Sequence, residues 1–246
     1  MGKLKTVLGL VVAAIVLVVG GVWVYINVIK EDAPEALTLE ASSTTTTPDA
    51  DDSSDDGPAS TTPASNTTAE FDGSLDGTWI PGGETVAGYR VAETLAGQST
   101  EGVGRTDQVT GAMSIVGTTI TEADFSVDMA SITSDSDRRD NQYQTRLMQT
   151  DRFPTSTFVL TEPIELGTEP AEGEEITVDA VGDLTLKDTT KAVTFELQAK
   201  RVGGVITVVA TYEITFADWG IEDPSNGFAQ VGPTGLLELR LELVKE

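Results

Sequence analysis

The chain contains no cysteine and no histidine. Without cysteine there is no disulfide framework, no thiol nucleophile and no thiolate zinc site. Without histidine there is no Ser-His-Asp triad, no imidazole base and no imidazole-bound metal. Catalysis would have to run on carboxylate, tyrosine, serine or lysine side chains, and no pair of carboxylates stands out for glycoside hydrolysis. No Gly-x-Ser-x-Gly elbow, P-loop or dinucleotide fingerprint is present. A non-enzymatic role is therefore expected, and no cofactor is implied. Basic residues are also few: 15 Lys and Arg stand against 40 Asp and Glu, for a formal net charge of −25. Phosphate backbones are bound by clustered Lys and Arg, so nucleic acid is not an expected partner. The same balance disfavours direct docking on anionic headgroups. It reads as a solvated, self-repelling surface.

Residues 7–29 (VLGLVVAAIVLVVGGVWVYINVI) carry no charged side chain. About 20 apolar helical residues cross a hydrocarbon core of about 30 Å. Backbone groups left unpaired in lipid are costly, so a run of this length predicts a transmembrane helix. Trp23 and Tyr25 fall near its far end, where aromatic rings favour the interface. The alternative is a cleaved signal peptide, whose apolar core is about 7–15 residues long and ends at a small-x-small site. This run is longer, and no Ala-x-Ala site follows it. Residues 1–32 therefore read as a signal anchor. Lys3 and Lys5 precede the span while Glu31, Asp32 and Glu35 follow it, which places the C-terminal bulk outside the cytoplasm. Lys30 runs against that asymmetry.

Residues 33–72 are rich in Ser, Thr, Pro, Ala and Asp and lack apolar periodicity. Such a segment buries too little apolar surface to offset the entropy of ordering, and reads as a disordered linker. A flexible chain of that length spans roughly 30–40 Å root-mean-square. Asn66-Thr67-Thr68 matches a glycosylation sequon, a pattern that chance often produces.

From residue 73 to 246 the pattern is that of strands. Phe125, Val127 and Met129 alternate with Asp124, Ser126 and Asp128. Val193, Phe195, Leu197 and Ala199 alternate with Thr194, Glu196 and Gln198. Leu237, Leu239, Leu241 and Leu243 alternate with Glu238, Arg240 and Glu242. A period of two marks a sheet with one apolar and one wet face. Similar runs at residues 86–95, 110–116, 158–166, 176–186 and 206–216 bring the total to about eight strands, and residues 201–205 read as a hairpin turn. One helix is predicted over residues 137–149, with Asp135 or Ser136 as N-cap and Tyr143 and Leu147 on one face. Sequential antiparallel strands with one apolar face each must stack or curl to bury it. The expected fold is all-β: a closed barrel, with a two-sheet sandwich as the alternative.

Three segments together resemble the YceI-like family, the lipocalin-like polyisoprenoid-binding proteins. The first is Ala130-Ser131-Ile132-Thr133 followed by Arg138-Arg139-Asp140. The second is Phe153-Pro154-Thr155-Ser156-Thr157-Phe158. The third is Gly182-Asp183-Leu184-Thr185-Leu186 running into Lys187-Asp188-Thr189-Thr190-Lys191. Gly77-Thr78-Trp79 and Asp218-Trp219-Gly220-Ile221 add weaker support. The resemblance spans roughly residues 76–244. Departures are Leu147-Met148 where the family often carries paired Phe, and Asp188 where Gly is common. The resemblance implies an extended antiparallel lipocalin-like barrel, whose apolar interior holds a polyisoprenoid or other long-chain lipid. The alternative is a structural or interaction domain of the cell envelope with a filled core.

Strand alternation nominates the inward positions that would line such a cavity. They are Tyr89 and Val91; Phe125, Val127 and Met129; and Phe158 and Leu160. Leu184, Leu186, Phe195 and Leu197 follow, then Ile214 and Phe216, and finally Leu239 and Leu241. Met129 and Met148 would suit an adaptable wall. Arg138-Arg139-Asp140 could clasp a phosphate through bidentate contacts or could simply pair with nearby charges and backbone. Asp135 and Asp137 lack the spacing of a calcium loop, and Glu222, Asp223 and Asn226 offer at most a weak divalent site, so no metal site is expected.

Overall fold

In the computed structural model the described residues are 33–40, 73–95, 97–227 and 229–246. The apolar run at residues 7–29, residues 41–72 of the expected linker and the Asn66 sequon lie outside them. Among the described residues no helix is long and apolar enough to cross a membrane.

Twelve strands follow in order: β1 (Gly77–Leu95), β2 (Gln98–Thr106), β3 (Val109–Val116), β4 (Thr119–Asp128), β5 (Thr133–Ser134), β6 (Thr155–Leu160), β7 (Ile164–Glu165), β8 (Glu175–Leu186), β9 (Thr189–Val202), β10 (Val205–Thr215), β11 (Ala229–Val231) and β12 (Thr234–Lys245). Eight of them form a continuous antiparallel path, β12-β10-β9-β8-β6-β4-β3-β1. Pairing of β1 with β12 closes the ring, so the fold is a barrel and not a sandwich. Among the described residues the one α-helix, α1 (Asp137–Gln142), continues as a π-helical turn at Tyr143–Leu147. It is shorter than the sequence pattern predicts.

Local chemistry explains the corners. Gly203-Gly204 makes the two-residue turn between β9 and β10, with Gly203 at φ 56°. Pro81 falls inside β1, and the register against β12 slips between Gly82 and Val86 in a bulge that bends the wall. Met129 and Phe216, expected on strands, instead occupy 3-10 turns at Met129–Ser131 and Phe216–Trp219. The first turn is capped by Asp128, whose Oδ1 accepts from the Ala130 amide at 2.9 Å. At one end of the barrel Trp79 is fully buried and donates its Nε1 proton to the Leu75 carbonyl at 2.9 Å, filling the space beside Leu243.

Residues 33–40, which composition assigns to the linker, lie across the outside of the barrel as a strap. Arg90 Nη2 donates to the Pro34 carbonyl at 2.7 Å, and Arg105 Nη2 to the Glu35 carbonyl at 2.5 Å. Further along, Arg240 Nε donates to the Thr38 carbonyl at 3.2 Å, and Lys200 Nζ meets Glu40 Oε1 at 3.1 Å. The outer wall here holds a charge cluster: Glu238 takes Arg90 Nε at 2.6 Å and Arg105 Nη2 at 3.0 Å. Register places Val103 beside Arg90 and Val209 beside Arg240 on the outward face, and both valines are buried. Backbone carbonyls make most of these contacts. Every sequence has such acceptors, so composition does not reveal the docking.

Candidate functional site

The inward faces of the strands do not meet at the barrel axis. They enclose a cavity of about 460 Å³ in one half and a second of about 140 Å³ in the other. The larger lies within the range of small-molecule sites, about 300–1,000 Å³. Tyr89, Val91, Val127, Met129, Leu184, Leu186, Ile214 and Phe216 line the larger cavity. Leu160, Leu197 and Leu241 line the smaller one. Phe125, Phe158, Phe195 and Leu239 border both, and so form a waist between them. Every nominated position thus faces one of these two spaces. The Phe158 ring meets Phe195 edge-on at 5.2 Å and 89°, and Phe195 leans on Tyr212 at 5.0 Å. A close approach makes this possible: a Cβ on Gly182 would stand 2.5 Å from Phe158 Cζ.

The end of β1, α1 with its π turn, the loop after Trp219 and β11 surround the mouth of the larger cavity. Gln142 Nε2 donates to the Pro224 carbonyl at 2.7 Å, and Arg146 Nη2 to the Asp223 carbonyl at 3.0 Å. These bonds tie the helix to the opposite loop. Asp223 Oδ1 accepts from the Ser225 amide, and hydrogen bonding to Ser225 holds the Asp223 carboxyl below its ordinary range. Glu93 continues the inward series Tyr89, Val91 and is buried at the mouth. Its Oε1 accepts from Arg139 Nη2 at 2.8 Å, and Arg139 Nη1 also pairs with Asp135. Asp140 Oδ1 accepts from the amide and the hydroxyl of Ser134 at 2.9 and 2.6 Å. Arg139 and Asp140 therefore have structural partners, while Arg138 stands exposed on the rim.

Below the mouth, Tyr89 and Tyr143 stack at 5.2 Å and 16°. The Tyr143 hydroxyl reaches Met129 Sδ at 3.9 Å. Burial raises both phenols above their ordinary pKa, and for Tyr89 the Arg139 charge works the other way. Both rings are neutral near pH 7, which keeps the wall uncharged. Gly104, opposite Tyr89, leaves room for this ring: a Cβ there would lie 2.4 Å from Tyr89 Cε1.

Sequence reasoning did not single out Glu93, Ile132, Tyr143, Ile221 or Val231 as lining residues, yet all border the larger cavity. Two left a signal. A carboxylate at an inward position of an apolar series marks Glu93, and the Tyr143/Leu147 spacing marks the face of the helix that covers the mouth. Ile221 and Val231 sit in irregular backbone or a three-residue strand, where periodicity carries no information. Among the described residues no group of acidic side chains could hold a metal ion.

Residues 83–243 match the family model of the YceI-like domain. No curated protein matches the chain. Among solved structures, a polyisoprenoid binding domain from Saccharophagus degradans implicated in plant cell wall breakdown superposes with a TM-score of 0.55 at 17% identity, covering 69% of this chain and 98% of that one. BcnA from Burkholderia cenocepacia gives a TM-score of 0.48 at 17% identity, covering 64% and 95%. The YCEI protein of Campylobacter jejuni gives 0.45 at 14% identity, covering 56% and 81%. The likeness to the first of these establishes a shared fold.

Proposed function

The chain belongs to the YceI-like family, and from that premise we propose that it is a membrane-anchored, extracytoplasmic, non-enzymatic protein that holds a polyisoprenoid or similar long amphiphile inside its barrel. The observation that carries this reading is the apolar cavity of about 460 Å³, open at a mouth where the charged groups gather. An amphiphile would place its chain among Val127, Leu184 and Phe195 and its polar end near Glu93, Arg138 and Arg139. The smaller cavity beyond the phenylalanine waist lies in line for the chain's far end. The polyisoprenoid-binding relative from Saccharophagus degradans supports the class of ligand. The uncharged run at residues 7–29, with Lys3 and Lys5 before it, supports the anchor and the orientation.

Native mass spectrometry of the full chain, released from detergent micelles, tests the ligand. A co-purifying lipid mass, or stoichiometric uptake of added polyprenol, is the expected result. A chain that carries no lipid and rejects added polyprenols and quinones would overturn the reading.

A further inference from the structure

The strap limits how far the barrel can stand from the apolar run. Residues 30–32 alone separate that run from Ala33, the first described residue of the strap. The four steps from residue 29 to residue 33 reach at most about 14 Å. The strap begins on Arg90 and Arg105 and ends on Lys200. Arg90 precedes the mouth residue Glu93 on β1 by about 10 Å of strand. Lys200 lies near the Val202–Val205 turn, at the end away from the mouth. The chain therefore arrives at the barrel from the mouth side. It does not merely graze the wall, because three arginines donate to its carbonyls and Lys200 pairs with its last residue. Both ends of residues 41–72 also stand at the barrel: Glu40 pairs with Lys200, and the Ser74 carbonyl accepts from Lys245 Nζ at 3.1 Å. In chain order residues 41–72 come after the strap, so the apolar run joins the barrel through residues 30–40.

We propose that the strap holds the barrel with its cavity mouth against the bilayer that carries residues 7–29, so that the cavity exchanges its contents directly with the lipid of that membrane. This rests on the reading of residues 7–29 as a membrane anchor. The partner of the mouth is the lipid surface itself. A barrel on a free linker would sample positions roughly 30–40 Å away, whereas this connection confines the mouth to the neighbourhood of the headgroups.

The absence of cysteine makes a site-specific test direct. A fluorophore is attached to Glu222→Cys, on the exposed mouth loop, or to Val116→Cys, at the exposed far end of β3. The full chain is reconstituted in phosphatidylcholine vesicles doped with a headgroup-nitroxide lipid, and flotation reports insertion. The expected result is quenching several-fold stronger at the Glu222 site than at the Val116 site. Inserting about 40 Gly/Ser residues between Asp32 and Ala33, a reach of roughly 35 Å, should abolish that difference. The same insertion between Asp56 and Gly57 should leave it intact. Equal quenching at the two sites, or equal effects of the two insertions, in vesicles that float with the protein would overturn the strap's role. Failure to float would instead overturn the anchor, and the proposal with it.

Discussion

Replacing Phe158 by alanine asks whether the two cavities act as one tunnel. The Phe158 ring borders both spaces and meets Phe195 edge-on at 5.2 Å. In a filled core a Phe→Ala change costs about 3–5 kcal/mol, because contacts are lost on every side. Here the ring is half-buried and has open space on two sides, so many of those contacts are already missing. The loss is then the edge-to-face pair, about 0.5–1.5 kcal/mol, plus part of the burial of a phenyl group, about 1 kcal/mol. A total of about 2 kcal/mol follows, or a fall in Tm of about 4–8 °C for a domain of this size. At the same time the waist opens and adds the smaller cavity of about 140 Å³ to the larger. The variant should accept longer chains, so a mixed ladder of polyprenols analysed by native mass spectrometry should shift to longer homologues. Urea unfolding of the same sample gives the stability. A loss of 4 kcal/mol or more, with chain-length preference unchanged, would mean that Phe158 is ordinary core and that no tunnel exists.

Arg139→Ala leaves Glu93 buried at the mouth without its 2.8 Å partner, and should cost about 2 kcal/mol by urea unfolding, more than Glu93→Gln; equal, negligible effects would show that the pair contributes nothing. Glu238→Ala takes the buried carboxylate from Arg105 and leaves Arg90 with Glu101 alone, and should cost about 2–3 kcal/mol, with faster proteolysis of residues 33–40 as a second readout; an unchanged cleavage rate would count against strap docking through these arginines. Burial raises the Tyr89 and Tyr143 pKa values in the folded state, so the unfolded chain loses those protons first. Their contribution is intact below about pH 10, the ordinary tyrosine value, and stability falls above it by up to about 1.4 kcal/mol per pH unit for each ring. The double variant Tyr89→Phe/Tyr143→Phe should flatten that alkaline slope, and a slope that survives the change would refute the assignment.

Alternation made the barrel wall legible wherever large apolar and polar residues take turns, as in β9 and β12. It failed at β2, whose inward positions include Gly102 and Gly104 opposite Val91 and Tyr89. Those glycines are there because other side chains need the room, so the strand has no apolar face to read. Alternation also gives the face of a residue but not its height along the barrel. It could nominate Phe125, Phe158 and Leu160 together without separating the waist from the smaller cavity. The helix was legible as a helix, but its π turn, which aims Tyr143 at Tyr89, depends on tertiary contacts. The strap lies further from reach. Its partners are arginines on three strands, and its own contribution is mainly peptide carbonyls.

The hollow interior and the strapped exterior belong to one physical argument. A barrel that keeps its interior open loses the dispersion and burial that a packed core would supply along its axis. What remains is closure of the wall and whatever lies outside it. Closure is supplied by β1, which pairs with β12 on one edge and with β3 and β2 on the other. The outer surface then adds what the inside gives up, for Glu238, Arg240, Val103 and Val209 are buried although they face away from the axis. The strap that bonds to this face is also the described piece of chain next in sequence to the apolar run at residues 7–29. Undocking it would take a carbonyl acceptor from each of three guanidinium groups, and it would slacken the connection that sets the height of the mouth. Stability of the barrel and position of the mouth are thus coupled through the same eight-residue contact, and perturbing Glu238 should move both together, whereas perturbing Phe158 should move only the first.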